Sequence, residues 1–236
     1  MKTVLHKAES RGHADHGWLE SYHTFSFANY YNPGRISFGA LRVLNDDRIE
    51  ASKGFGTHPH DNMEIITIPL AGELRHQDNM GNETVIKEGE VQVMSAGTGI
   101  FHSEYNNRSD MDVSLLQIWV LPDRKNVTPR YDQITISDIA IENEFYQVLS
   151  PSKDDQGVWI YQDAWFHFGK FEAGKSDTYN FKKEGNGLYI FVLEGEAEVE
   201  GRFLERRDGY GVWDTNIVTV NATKDARLLL IEVPMN

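Results

Sequence analysis

The stretch GFGTHPH, residues 54–60, ends in two histidines that are separated by one residue, His58 and His60. A second pair with the same spacing, His102 and Glu104, follows further along the chain. Side chains at positions i and i+2 of a β-strand point to the same face. Two such strands in one barrel would place three imidazoles and one carboxylate around a single point, which suits a transition metal open to a substrate. The two pairs therefore predict a metal site built on strands, and an enzyme is the first hypothesis.

The rest of the chain has the pattern of a β protein. Short apolar or alternating segments dominate, and helical periodicity is scarce. Gly- and Asn-containing turn sequences, such as 79–82 and 184–187, separate these segments. The expected strands include residues 63–70, 84–87, 91–95, 113–121, 187–193, 197–199, 216–220 and 227–233. Many short strands at this spacing are typical of an all-β sandwich or barrel.

A polar segment with two prolines, Pro122–Gln133, divides the chain into halves of similar length. It predicts an N-terminal domain (1–122), a linker (123–133) and a C-terminal domain (134–236). Residues 70–73 and 193–196 both resemble a Gly-containing hairpin turn between apolar strands, which favours a duplicated domain. The second half has a single histidine, His167, flanked by phenylalanines, and we interpret it as a core or rim residue. Only the first half is therefore expected to hold a metal.

The fourth ligand has two candidates at this point. Glu64 follows His60 by four residues, and on a regular strand it would share a face with His58 and His60. It therefore competes with Glu104. Its alternative role is to orient an imidazole from behind, because metal-bound histidine commonly needs such a carboxylate. The spacing leaves both assignments open.

Other polar residues carry weaker signals. Four of them cluster near the N-terminus and have the residue types of a second site, but we interpret them as surface or inter-strand hydrogen-bonding groups: His13, Asp15, His16 and His23. His76 leads into a turn and is expected to be exposed. The aspartate pairs at 46–47 and 154–155 are interpreted as turn residues and not as acid/base pairs.

The composition restricts the classes of partner. The formal net charge is −13, which disfavours direct nucleic-acid binding and docking on an anionic membrane. The chain has no cysteine, so disulfides, thiolate metal sites and a cysteine nucleophile are excluded. The N-terminal residues lack an apolar signal region, and no later segment has the length of a membrane span. A cytoplasmic location is the expectation.

Longer motifs resemble the pirin family of bicupins, within the cupin superfamily. In the first half they are residues 11–33, 38–49, 54–65, 74–82 and 94–104, and in the second half residues 147–157, 160–164 and 228–234 match more loosely. The general cupin pattern is also present in His58, His60, Glu64 and Gly72, with one extra residue before the glycine. Ser95 stands where many cupins have proline, and Asn62 replaces a residue that is often acidic in relatives. The resemblance implies two cupin jelly-roll barrels in one chain.

The resemblance also implies a site and an activity. The metal ligands would be His58, His60, His102 and Glu104, with Glu64 behind them, and Glu104 would be the catalytic base. One divalent transition metal is expected, with Fe(II) favoured, although nickel, copper, cobalt, manganese and zinc also accept this donor set. Several bacterial members are quercetin 2,3-dioxygenases, which open a flavonol ring with O₂ and release carbon monoxide. The alternative is a metal-sensing regulatory protein acting through protein partners, with which the acidic charge is compatible.

Overall fold

The structure, a computed structural model, describes residues 1–235, and β-strands make up most of it. Two short 3-10 helices span Ala8–Ser10 and Ile136–Asp138. The strands up to residue 135 are β1 (Lys2–His6), β2 (Gly12–Asp15), β3 (Leu19–His23), β4 (Leu41–Ile49), β5 (Gly54–His60), β6 (Glu64–Ala71), β7 (Glu73–Asp78), β8 (Glu83–Lys87), β9 (Glu90–Ser95), β10 (Ile100–Asn106), β11 (Val113–Val120) and β12 (Arg130–Thr135).

The strands of the second half follow in similar order. They are β13 (Phe145–Ser150), β14 (Val158–Trp159), β15 (Trp165–Phe171), β16 (Ser176–Asn180), β17 (Asn186–Glu194), β18 (Glu196–Val199), β19 (Arg202–Glu205), β20 (Gly209–Trp213), β21 (Ile217–Ala222) and β22 (Ala226–Pro234). No helix in the part of the chain that the structure describes has the length and apolar sequence that crossing a membrane requires.

Each half forms a barrel from one seven-stranded and one four-stranded sheet. In the first barrel the orders are β12-β9-β6-β11-β4-β3-β2 and β5-β10-β7-β8. In the second they are β1-β20-β17-β22-β15-β13-β14 and β16-β21-β18-β19. The two sets of sheets match strand for strand over most of their length. The prediction of an all-β chain with two cupin barrels is confirmed.

The halves exchange edge strands. β1, at the N-terminus, pairs with β20 of the second barrel, with Lys2 opposite Trp213. β12, which includes residues 130–133 of the predicted linker, pairs with β9 of the first barrel. Each barrel therefore receives a strand from the far side of the boundary that the sequence predicts. The division at 122 and 134 stays a prediction about folding units.

A large apolar core joins the two barrels. It is formed by the outward faces of the two seven-stranded sheets, with Leu116 and Ile118 of β11 on one side and Leu229 and Ile231 of β22 on the other. The alternate residues of the same strands point into the barrels. The second barrel is filled by a continuous apolar cluster that includes Leu228 and Leu230 of β22. The first barrel has only two smaller apolar clusters, which leave polar side chains and a cavity between them.

The predicted echo between the halves corresponds to two equivalent turns. Gly72 connects β6 to β7, and Gly195 connects β17 to β18. Both have φ of 80°, a conformation that favours glycine. A Cβ on Gly72 would lie 2.9 Å from the carbonyl oxygen of Asp112, and one on Gly195 would overlap the carbonyl oxygen of Asp225. Glycine is therefore required at the same point of each barrel.

The prediction of a turn at residues 46–47 is wrong. Both aspartates lie within β4 and point to opposite faces. Asp46 faces the second barrel, where its Oδ2 atom accepts hydrogen bonds from Arg11 (3.1 Å) and Arg207 (2.9 Å). Asp47 faces the interior of the first barrel and accepts a hydrogen bond from Ser21. Tertiary contacts supply partners for two carboxylates that local sequence statistics assign to a turn.

Candidate metal centre and adjoining cavity

The two predicted ligand pairs lie on neighbouring antiparallel strands. In the ladder between β5 and β10, His58 is opposite His102 and His60 is opposite Ile100. Along β10 the even-numbered residues are buried, which turns His102 and Glu104 inward. β5 is an edge strand, as expected for a strand that contains Pro59. The i, i+2 spacing thus directs both pairs into the barrel.

Three imidazoles converge at this point. The ring centroids of His58 and His102 are 4.4 Å apart, and His60 is 5.0 Å from each of them. One ring nitrogen from each residue lies within 4.8 Å of the others. This is a spacing at which three nitrogen donors can bind one metal ion.

Two of the imidazoles are held in the neutral form that metal binding requires. Burial, with a smaller contribution from the neighbouring His58, lowers the pKa of His60 to about 4. Burial also lowers the pKa of His102, with His58 and His60 adding to the effect. Nδ1 of His58 lies 2.8 Å from the carbonyl oxygen of Gly56, to which it donates a hydrogen bond. That bond leaves the Nε2 lone pair of His58 free for a ligand.

His102 provides the test of fit. Only 2% of this residue is exposed, and neither ring nitrogen has a hydrogen-bond partner among the described residues. A buried nitrogen without a partner costs roughly 1–3 kcal/mol. An ion bound by His58, His60 and His102 would satisfy one of these atoms. The residues therefore fit a metal.

Glu104 lies beside the imidazoles and is buried. Its carboxylate accepts hydrogen bonds from Gln117 Nε2 at 3.2 Å and from Thr67 Oγ1 at 3.4 Å. Burial raises the pKa of Glu104, and nearby His76 and His58 oppose that shift. A ligand atom of Glu104 lies within 4.8 Å of ligand atoms of His102 and His76. His102 therefore belongs to two clusters, one with His58 and His60 and one with His76 and Glu104.

The expectation that His76 is exposed is wrong. His76 is fully buried in β7, directly opposite Glu104 on β10. Its Nε2 atom lies 3.1 Å from Oδ2 of Asp78, and the described residues provide no partner for Nδ1. His76 and Asp78 form a third i, i+2 pair of ligand types, which is the signal in the sequence that could have identified this residue.

Glu64 occupies a different part of the structure. It is the first residue of β6, whereas His60 is the last residue of β5, so a change of sheet separates them. Its side chain is on the face of β6 opposite to that of Thr67. There the Ser95 hydroxyl donates a 2.6 Å hydrogen bond to it. Burial raises the pKa of Glu64 to about 7.

A cavity of about 540 Å³ opens next to the imidazoles. Aromatic side chains form much of its wall, with Trp119 packed edge-on against His60 (5.0 Å) and against Phe27 (5.4 Å). Polar side chains also line it: Ser21, Asn45, Asp47 and Gln117. Burial raises the pKa of Asp47 to about 7. The volume is within the roughly 300–1,000 Å³ of small-molecule sites. No local sequence pattern marks these polar residues as part of a site.

The N-terminal histidines line the same cavity. His13, His16 and His23 are all on its wall. His13 also lies 3.3 Å from the Glu20 carboxylate on the neighbouring strand, which is the inter-strand contact that the sequence predicts. His23 is almost completely buried, and burial lowers its pKa. The three histidines thus belong to the site of the first barrel, whereas Asp15 does not line the cavity.

Comparisons with known proteins agree with this geometry. The Pirin family model matches residues 4–120, and the model of the Quercetinase C-terminal cupin domain matches residues 147–233. Quercetin 2,3-dioxygenase of Escherichia coli K12 is 44% identical over 98% of each chain. A pirin-like protein of Caulobacter vibrioides is 40% identical over 94% of this chain and 95% of its own.

A solved structure gives the same result. The crystal structure of the bacterial pirin YhhW of Escherichia coli in complex with nickel(II) superposes with a TM-score of 0.94 at 42% identity, covering 100% of both chains. Family models, full-length relatives and fold all point to the same group. The chain belongs to the pirin family.

Proposed function

We propose that this chain is a metal-dependent quercetin 2,3-dioxygenase, which opens a flavonol ring with O₂ and releases carbon monoxide. One observation carries the proposal: three imidazoles converge on the wall of an aromatic-lined cavity large enough for a small planar substrate. The full-length relatives whose names state this activity support it. A metal-sensing regulatory role is not favoured by these comparisons.

The metal would be one divalent transition ion held by His58, His60, His102 and Glu104. Three nitrogen donors and one carboxylate suit Fe(II), and nickel is the ion in the related crystal structure. Copper, cobalt, manganese and zinc accept the same donors. When bound, such an ion supplies a Lewis acid that favours the deprotonated flavonol and an open position for the reaction with O₂.

Glu104 would accept the proton of the flavonol 3-hydroxyl. Its burial raises its affinity for a proton, while the Gln117 amide holds the carboxylate in position. A base with a pKa close to the working pH is the most effective in general base catalysis. Glu104 would therefore take the hydroxyl proton and return it when the ring-opened product forms.

The cavity wall would bind and orient the flat ring system. Phe27 and Trp119 present aromatic surface beside His60. The indole Nε1–H of Trp119 is buried and has no hydrogen-bond acceptor among residues 1–235. Aromatic walls also exclude water, which protects a reactive intermediate from side reactions.

The test is turnover of quercetin by metal-loaded protein. Oxygen uptake and carbon monoxide release are measured for protein with full Fe(II) or Ni(II) occupancy. We expect both to occur in equal amounts, and His60→Ala and Glu104→Gln to abolish them. Glu83→Gln, an exposed change on β8 of the same four-stranded sheet, is the matched control and retains activity.

Fully loaded protein that consumes no quercetin would contradict the proposal. Metal analysis of each variant separates loss of the ion from loss of the base. Glu104→Gln with wild-type metal content and wild-type turnover would remove Glu104 from the role of base.

A further inference from the structure

A row of polar side chains crosses the inner face of the seven-stranded sheet in the first barrel. It runs over four neighbouring strands, because Thr67 is opposite Gln117, Gln117 is opposite Asn45, and Asn45 is opposite His23. Apolar residues flank the row on β11, with Leu115 on one side and Trp119 on the other. Such a polar band through an apolar interior is costly unless its atoms are paired.

The end of the row nearest Glu104 is paired. Thr67 Oγ1 lies 3.4 Å from both Glu104 Oε1 and Gln117 Oε1, and Gln117 Nε2 donates to the Glu104 carboxylate. These two side chains therefore have a structural task, which is to hold Glu104. Their hydrogen-bonding capacity is used within the protein.

The other end of the row is not paired. Asn45 and His23 are 2% and 4% exposed. Asn45 Oδ1 and His23 Nδ1 have no hydrogen-bond partner in the described part of the chain. Both side chains line the cavity, and their other polar atoms, Asn45 Nδ2 and His23 Nε2, are not enclosed, so a bound molecule can reach the side chains through those atoms. Buried polar atoms in native proteins are normally paired, and water or a ligand supplies the partner where the protein does not.

The two free groups match the chemistry of a hydroxyl. The Asn45 amide Nδ2 only donates hydrogen bonds, and a neutral imidazole offers one donor and one acceptor. A phenolic O–H both donates and accepts, so it can satisfy either group. His23 is two strands away from Gln117, or about 10 Å across the sheet. The hydroxyl would therefore lie on a part of the substrate remote from Glu104.

We propose that His23 and Asn45 form a subsite for a phenolic hydroxyl on the part of the flavonol that does not contact the metal ligands. This inference rests on the proposed function, and it identifies the substrate class more closely as polyhydroxylated flavonols. The subsite distinguishes quercetin from 3-hydroxyflavone, which keeps the reacting hydroxyl and the ring carbonyl but lacks every other hydroxyl.

The test compares quercetin with 3-hydroxyflavone on the metal-loaded protein. We expect Asn45→Leu to lower kcat/KM for quercetin by about 10–100-fold, since a substrate hydroxyl loses its partner. The value for 3-hydroxyflavone should change less than about 3-fold, since that substrate never makes the bond. His23→Phe should act in the same direction and guards against misfolding of a single variant.

The matched control is Thr24→Val. Thr24 is also buried with a hydroxyl that no described residue pairs, but it does not line the cavity. Its replacement should leave the ratio of the two kcat/KM values unchanged. Equal losses for quercetin and 3-hydroxyflavone in Asn45→Leu and His23→Phe would overturn the subsite.

A binding measurement separates this inference from the proposed function. Dissociation constants for both flavonols are obtained by calorimetry under anaerobic conditions. If the wild type binds but turns over neither compound, the dioxygenase proposal fails while the subsite is still tested. Weaker binding of quercetin alone in Asn45→Leu supports the subsite, and unchanged binding of quercetin overturns it.

Discussion

The two barrels have the same strand order, but the first has a partly polar interior with a cavity and the second has an apolar interior. Equivalent positions follow from the matching turns at Gly72 and Gly195 and from the strand register. His102 is opposite His58, and Val218 is opposite Tyr179 in the same place of the second barrel. The four predicted metal ligands of the first barrel are His58, His60, His102 and Glu104. Their equivalents in the second barrel are Tyr179, Phe181, Val218 and Val220.

The replacement extends around the whole site. His76 is opposite Glu104, and at the same point Val199 is opposite Val220. Gln117, which holds Glu104, corresponds to Leu230. The second barrel therefore has an apolar core that is stable without a ligand. The first barrel keeps unpaired buried nitrogens that a ligand must satisfy. A few inward-facing side chains therefore determine whether a barrel of this fold has a packed apolar core or a candidate binding site.

His167 is the exception in the second barrel. It takes the position that Asn45 has in the first barrel, opposite Leu230 instead of Gln117. It is buried and packs edge-on against Tyr179 at 4.9 Å. No other histidine of the second half exists to complete a ligand set. The interpretation of His167 as a core or rim residue agrees with this packing.

The largest expected effect comes from giving the first barrel a side chain of the second. His102→Val should remove stoichiometric metal binding and all turnover, because it deletes the donor common to both clusters. The decrease in metal affinity should exceed the roughly 10–100-fold decrease that follows from losing a hydrogen-bond partner of a metal ligand. Calorimetric metal titration and quercetin turnover measure this, with Val218→Ala as control.

The same variant tests the energetic side of the comparison. Without metal, His102→Val should unfold at the same temperature as the wild type or higher, since two unpaired nitrogens disappear. A metal-free variant that is clearly less stable than the metal-free wild type would show that the unpaired imidazole carries no cost.

The next effect is a pH dependence of stability. It distinguishes the barrels because the position of Asp47 in the first barrel is occupied by Gly169 in the second. Burial raises the pKa of Asp47 from 3.8 to about 7. A raised carboxyl pKa means that the folded state holds the proton longer than the unfolded state. The free energy of unfolding should therefore fall by roughly 2–4 kcal/mol as pH rises from about 4 through 7. Urea denaturation of the metal-free proteins measures this fall. The decrease in the free energy of unfolding should be smaller in Asp47→Asn than in the wild type. The exposed control Asp154→Asn should show the full decrease.

The reverse substitution gives a smaller change in stability. Val218→His places an imidazole within the apolar cluster of the second barrel, opposite Tyr179, whose hydroxyl already donates to Glu232. We expect the free energy of unfolding to decrease by roughly 1–3 kcal/mol. The value is obtained by urea denaturation beside Val218→Ala, which measures the effect of lost volume. Equal stability of Val218→His and wild type would refute the claim that this interior leaves the new imidazole unsatisfied.

The smallest expected effect concerns the support of Glu104. Gln117→Leu copies Leu230 of the second barrel and removes the amide that donates to Glu104. Metal affinity should fall by roughly 10–100-fold while the fold is retained. Competitive titration against a chelator measures the affinity. Gln133→Leu, at a polar site on β12 outside the cavity, should leave it unchanged.

Much of the fold and of the candidate metal site can be predicted from the sequence. The i, i+2 pairs predict that His58, His60, His102 and Glu104 turn inward, and the expected strands at 63–70 and 227–233 closely match β6 and β22. Gly72 and Gly195 mark the duplication. These signals are local, because the two-residue period of a strand and the positive φ of a glycine turn follow from covalent geometry within a few residues.

Only the tertiary structure determined the remainder. His76 and Asp47 look like turn residues in the sequence, and both become buried because distant strands cover them. The polar row from Gln117 to His23 depends on cross-strand register over residues far apart in the chain, which no local pattern encodes. The exchange of β1 and β12 between the barrels has the same origin. Residue types and spacing thus determine what chemistry the chain can carry, and long-range strand pairing determines which side chains surround it.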